Sequence, residues 1–140
     1  DLLPASATAA RAATPADLEI GFHTADVFCY EPPGPPDFII TALMTHHLPD
    51  ESVVALLRWL DRTASRGWFN NDLHRHAVAY HGFRLMGAVA RWHPMVRHDG
   101  AVSIAKGFRR AEWEALVQRA GVRAEIRWVF PFRFCVSHLA

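Results

Sequence analysis

Apolar and polar positions along this chain change their period several times, and each change predicts an element. Ala5 to Ala13 is rich in alanine, with Thr8 and Arg11 interspersed, a good helix former that Thr14-Pro15 stops. Leu18-Glu19-Ile20-Gly21-Phe22-His23 alternates, which predicts a strand exposed on one face. Glu31-Pro32-Pro33-Gly34-Pro35-Pro36 holds too many prolines for a helix interior or central strand and predicts a surface connection. Asp37 to Leu43 is a continuous apolar run with branched residues, the pattern of a parallel strand buried on both faces.

Pro49-Asp50-Glu51 then opens a helix, because proline and acids suit a first turn whose backbone N–H groups are unpaired. Val53, Val54, Leu56, Leu57 and Leu60 give it an apolar face, and Gly67 is the expected C-terminal cap. Trp68 to Asp72 predicts a short strand with a polar end, and His74 to Trp92 a helix in which Gly82 and Gly87 allow close packing. His93 to Lys106, with Pro94, Asp99 and Gly100, predicts a loop, and Arg109 to Ala120 a helix ended by Gly121. Ala124 to Val129 and Arg133 to Ser137 predict two closing strands with Pro131 at the bend. Strands alternating with helices predict an α/β fold, its sheet parallel until a final antiparallel pair.

Composition narrows the class without naming it. A hydrophobic fraction of 51% against 21% charged residues is that of a globular chain, not a disordered one. Fifteen Lys and Arg against fourteen acids leave a formal charge of +1, so nothing global favours nucleic acid or an anionic membrane. No apolar run approaches the roughly 20 residues that span a bilayer. Cys29 and Cys135 stand far apart without a CxxC neighbour, so buried thiols in a reducing cytoplasm are expected instead of disulfides or a zinc knuckle.

In an open parallel sheet, ligands sit at the carboxyl ends of the strands. Those ends read Asp1-Leu2-Leu3-Pro4, then Thr24-Ala25-Asp26-Val27, then Ala42-Leu43-Met44-Thr45-His46-His47-Leu48-Pro49, then Asn71-Asp72. The ordered set resembles the class I S-adenosylmethionine-dependent methyltransferases, especially their quinone-biosynthesis-like branch. Phe108-Arg109-Arg110-Ala111-Glu112-Trp113 is similar to the late FTxxE helix opening of that family. The likeness runs over essentially all 140 residues. It implies a Rossmann-like sheet, one methyltransferase domain over 1–140, and S-adenosylmethionine as cofactor. The family's first strand and its GxGxG turn would stand before Asp1. They are therefore expected upstream in a longer chain or on another polypeptide, and residues 1–140 alone are expected neither to bind cofactor well nor to fold fully.

The resemblance also assigns roles. Asp1, with Leu2 beside it, would accept the cofactor's ribose hydroxyls, for which a carboxylate's paired oxygens are suited; the alternative is an exposed acid. Asp26 would accept the adenine amino group, with Val27 as apolar cover, unless it only caps a turn. Thr41, Ala42 and Leu43 would line the methionine side, with core packing an equal reading for Leu43. His47, and after it His46, are candidates to remove a proton from a phenolic or enolic acceptor, as an imidazole does near neutral pH. Both alternatively pack around the helix start at Pro49.

Asp72, His74, His76, Tyr80 and His81 form a polar and aromatic set suited to a planar acceptor, joined by Arg97 in a group with His98 and Asp99. The same Asp72, His74 and His76 allow a weaker reading as a metal site, although a helix does not put His74 and His76 on one face. The five tryptophans read as core, and Arg109-Arg110 as a solvated helix start. Methyl transfer to a small aromatic, quinone-like or polyketide-like acceptor, on oxygen or carbon, is thus expected, with a homodimer left open. A non-catalytic methyltransferase-like scaffold and a metal-dependent hydrolase are the other two readings.

Overall fold

The computed structural model describes residues 4–140, which form two compact units divided after Gly34. In the first, α1 (Pro4–Ala13) is closed by side chains that bond back to its own turns: Thr8 Oγ1 donates to the Pro4 carbonyl and Thr14 Oγ1 to that of Ala10. The alternating segment 18–23 is not a strand. No strand of the described residues pairs with it, and Leu18 and Ile20 stay half exposed. Alternation without a partner does not make a sheet.

The second unit holds β1 (Phe38–Ala42), α2 (Asp50–Thr63), β2 (Gly67–Leu73), α3 (Ala77–Val89), α4 (Pro94–Lys106), α5 (Arg110–Ala120), β3 (Glu125–Val129) and β4 (Arg133–Leu139). The sheet order is β1-β2-β4-β3. β1 pairs parallel with β2 across α2, while β4 runs antiparallel to both β2 and β3. The closing hairpin is present, but β4 returns between β2 and β3 instead of along an edge. Only one of the three ladders is therefore parallel, although β1, β2 and β3 share a direction.

One face of this sheet carries the core. Trp68, Asn70 and Asp72 alternate inward along β2 beside Val136 and Phe134 of β4. Over them lie Val53, Leu56, Leu57 and Leu60 of α2 and Trp113 and Leu116 of α5. Arg58 ties the two helices by donating to the carbonyls of Ala120 and Arg119 at 3.1 and 2.8 Å. The opposite face is open at β1, where Phe38 is 51% and Ile40 74% exposed. The expected burial of that strand on both faces is thus not met: even its inward residues, Ile39 and Thr41, are only half-buried.

Two glycines correct the boundaries. Gly67 does not cap α2, which ends at Thr63; it begins β2 with φ 152°, and a Cβ there would lie 2.4 Å from the His138 carbonyl. Gly100 does not open a loop. Residues 94–106 are helical because Pro94 sits in the first turn, where its missing N–H costs nothing, and His93 Nδ1 accepts from Met95 N at 3.2 Å. Gly100 instead lets α4 approach α3, since a Cβ would meet the Phe83 ring at 2.2 Å. Gly87 packs likewise against Arg97 and Trp92, whereas Gly82 faces open space. Gly121, at φ 70°, is the left-handed cap of α5 that its position predicts.

Candidate active site

The site grows from the ends of the parallel pair. Thr41 Oγ1 donates to Asn70 Oδ1 at 2.8 Å, joining β1 to β2 near their ends. Leu43 leaves the sheet with φ 55°, its N–H held by the Asn71 carbonyl at 2.9 Å, and the chain tightens into a 3₁₀ turn, Thr45–His47. A buried carboxylate one strand away fixes that turn. Asp72, fully buried at the end of β2, accepts the His46 backbone N–H at 2.9 Å and the Leu73 N–H at 2.7 Å. It also accepts the Thr45 hydroxyl and, at 2.6 Å, the His46 ring nitrogen Nδ1. A carboxylate only accepts, so Nδ1 donates in this bond and Nε2 is the ring nitrogen left outside it. His46 is itself 6% exposed, and the exposed His47 ring lies over it with centroids 4.1 Å apart.

These two imidazoles separate two cavities. One, of about 710 Å³, is mostly apolar: Leu43, Leu73, Val78, Phe83, Met86 and Phe132 line it with His74. The other, of about 420 Å³, is polar and lined by Arg75, Lys106, Glu112 and Arg119. Arg75 pairs with Glu112, whose other oxygen accepts the Arg109 N–H and so starts α5. His46 and His47 line both cavities.

The remaining predicted residues are spread more widely. His74 lines the apolar cavity; Trp128 Nε1 donates to its Nδ1 at 3.1 Å, and Phe134 meets its ring edge-on. Burial first, then the charges of His76 and Arg109, lower its pKa below the usual histidine value. His76 caps α3 by accepting from Val78 N and stacks on Phe132. Tyr80 and Arg97 line a third cavity instead, and His81 is exposed, edge-on to Tyr80. The expected acceptor set is therefore divided by α3, because successive helical positions point to different sides.

Asp72 serves the 3₁₀ turn and does not line the apolar cavity. With its oxygens so engaged, and His74 and His76 holding other partners, these three do not converge as metal ligands. Asp26 accepts from Phe28 N at 3.0 Å in a local turn, as its capping alternative requires, with half-buried Val27 between them. Asp1 and Leu2 lie outside the described residues.

Sequence reasoning gave no role to Phe83 or Phe132, and it held Thr45 and Glu112 only as members of quoted motifs, without their bonds to Asp72 and Arg75.

No protein-family model matches the chain, and no curated protein matches it in sequence. Solved structures do. LepI in complex with S-adenosylmethionine aligns with 99% of this chain at 17% identity and a TM-score of 0.65. Human N-acetylserotonin methyltransferase in complex with the same cofactor aligns with 98% at 14% identity, TM-score 0.62. A structure described as a pericyclic reaction enzyme aligns with 99% at 17% identity, TM-score 0.64. At such identity the likeness shows the fold: a mixed α/β fold similar to that of S-adenosylmethionine-dependent methyltransferases. This chain spans 35 to 38% of the length of those proteins.

Proposed function

We propose that the chain is part of an S-adenosylmethionine-dependent methyltransferase acting on a small aromatic, quinone-like or polyketide-like acceptor that presents an ionisable hydroxyl or enol. The observation that carries this is the buried Asp72–His46 pair, whose free imidazole nitrogen borders an apolar cavity at the ends of two parallel strands. The fold alone does not fix the reaction. Its neighbours include a pericyclic reaction enzyme, so the assignment rests on the site.

S-adenosylmethionine supplies an electrophilic methyl group when bound. The residues present suit it: Ala42 is small and exposed at the end of β1, and Leu43 offers apolar surface at the rim of the cavity. Beside Ala42 in the register, Asn71 Oδ1 is buried without a partner, an acceptor for a ligand amino group. Thr41, Ala42, Leu43 and Asn71 would hold the methionine end.

His46 is then the base. Asp72 fixes its tautomer and ring plane and favours the imidazolium that forms when Nε2 takes a proton, a role worth about 10²- to 10⁴-fold in rate. His47, stacked on it and shared with the polar cavity, gives that proton a way to solvent. Val78, Phe83, Met86 and Phe132 exclude water around a planar acceptor.

The test is calorimetric titration of S-adenosylhomocysteine into the complete protein, followed by methyl transfer to a panel of phenols and enols. One-to-one binding, with transfer that His46→Ala suppresses, is the expected result. A folded complete protein that binds no S-adenosylhomocysteine would overturn the reading.

A further inference from the structure

The third cavity, about 550 Å³ between the outer sides of α3 and α4, has no part in the proposed chemistry. Its cationic walls are Arg84, Arg97 and Lys106, joined by the His98 imidazole and the Tyr80 phenol over a floor that includes Ala101 and Val102. None of the three permanent cations has an acidic partner among the described residues. Arg84 instead approaches Tyr80, with Nη1 3.5 Å from the hydroxyl and the guanidinium 5.5 Å from the ring centre.

The sequence explains the missing counter-charge. No Asp or Glu stands between Asp72 and Asp99, and Asp99 faces the apolar cavity on the other side of α4. Four of the other arginines do meet carboxylates: Arg75 with Glu112, Arg110 with Glu114, Arg119 with Asp50 and Glu51, Arg127 with Glu125. Three like charges gathered around one concavity repel one another, and an anion relieves that repulsion. On a chain of formal charge +1 the concentration is local.

We infer that this cavity is a binding site for a phosphate-bearing ligand. Arg84 and Arg97 would grip the phosphate oxygens as planar donors, with Tyr80 as a neutral hydrogen-bond donor. Lys106 lies about 14 Å further along α4 at 1.5 Å per residue, so the groove also suits an extended ligand. The cavity volume falls within the usual range of small-molecule sites. Two sources share this chemistry: a soluble phosphate ester, or the headgroup of an anionic lipid. Exposed Leu85, Val89, Met95 and Val96 stand on the same two helices, where a lipid's chains would need apolar surface.

The complete protein separates the sources. Inorganic pyrophosphate is titrated by calorimetry, and sedimentation is measured with vesicles of phosphatidylcholine alone or mixed equally with phosphatidylglycerol. Saturable pyrophosphate binding that weakens at least tenfold in the Arg84→Ala/Arg97→Ala double variant establishes a soluble phosphate ligand. Sedimentation with the mixed vesicles only, lost in the same variant, establishes the lipid headgroup. Arg123→Ala/Arg127→Ala removes equal charge from exposed positions around β3 and is expected to change neither. No binding in either arm, or equal loss in both double variants, would overturn the site. Binding of S-adenosylhomocysteine by the Arg84/Arg97 variant is expected to be unchanged, so this inference and the proposed methyl transfer fail independently.

Discussion

The Asp72 carboxylate holds His46 at two points, accepting its backbone N–H at 2.9 Å and its ring Nδ1 at 2.6 Å. One side chain thus fixes both the turn that carries the imidazole and the way the ring points. Asp72 comes from β2 and His46 from the turn after β1, so the parallel pairing of these strands is what brings them together. A carboxylate buried this completely is stable only with its hydrogen bonds made.

If His46 is the base and His47 an exit for its proton, the two variants differ in kind. His46→Ala is expected to lower kcat by about 10²-fold or more and to remove the acid limb of the pH–rate profile. His47→Ala is expected to keep that limb and lose less than about tenfold. Steady-state rates across pH, on the best acceptor found, check both. Equal losses with unchanged profiles would show that neither imidazole takes the proton.

Asp72→Asn keeps the volume but turns an NH₂ group toward groups that themselves donate. One buried donor is left without an acceptor, at a cost of about 1–3 kcal/mol. Urea unfolding of the variant is expected to show a lower midpoint with an unchanged slope. Asp61→Asn, at the partly buried bond that Asp61 accepts from Trp68 Nε1, should cost less.

Local signals made much of the second unit legible. The 3.6-residue spacing of Val53, Leu57 and Leu60 and the glycine after Ala120 fix α2 and α5 from neighbours in sequence alone. What failed depended on distant partners. Leu18 to His23 alternates correctly but has no paired strand among the described residues, and Gly100 looks like a turn until Phe83 is placed against it. The site shows the same division. His46 and Asp72 could each be singled out as residues, yet their bond joins positions 26 apart. Sequence order therefore did not show that Asp72 bonds to His46, and it set Asp72 among the acceptor's contacts.

His74 offers a pH test that is independent of catalysis. Its pKa is lowered mainly by burial, so the folded protein binds its proton less readily than the unfolded chain does. Stability is then level above the ordinary histidine value of about 6.5 and falls as pH drops from there toward the folded value. Protonation also turns Nδ1 from acceptor to donor and breaks its bond from Trp128 Nε1. Indole emission is expected to change over the same range, and the change should vanish in both Trp128→Phe and His74→Phe. A change that survives in both would place the titrating group elsewhere.

The glycines of the α3–α4 hairpin make opposite predictions from the same substitution. Alanine is the better helix former, by about 0.5–1 kcal/mol over glycine in a helix interior. At Gly82 nothing stands within 4 Å of the added carbon, so Gly82→Ala is expected to raise the melting temperature slightly. Gly82 also lines the apolar cavity, so a large acceptor should bind the variant more weakly even as stability improves. At Gly100 the new carbon would lie 2.2 Å from the Phe83 ring. The helices must separate or the ring must leave its place, an overpacking cost of about 1–3 kcal/mol that outweighs the gain in propensity. Shortening the opposing side chain isolates the cause: Phe83→Leu should recover part of the loss in the Gly100→Ala background while destabilising the parent. Thermal unfolding of the four proteins checks this. If Gly100→Ala melts no lower than the parent, α4 does not pack on α3 through that contact.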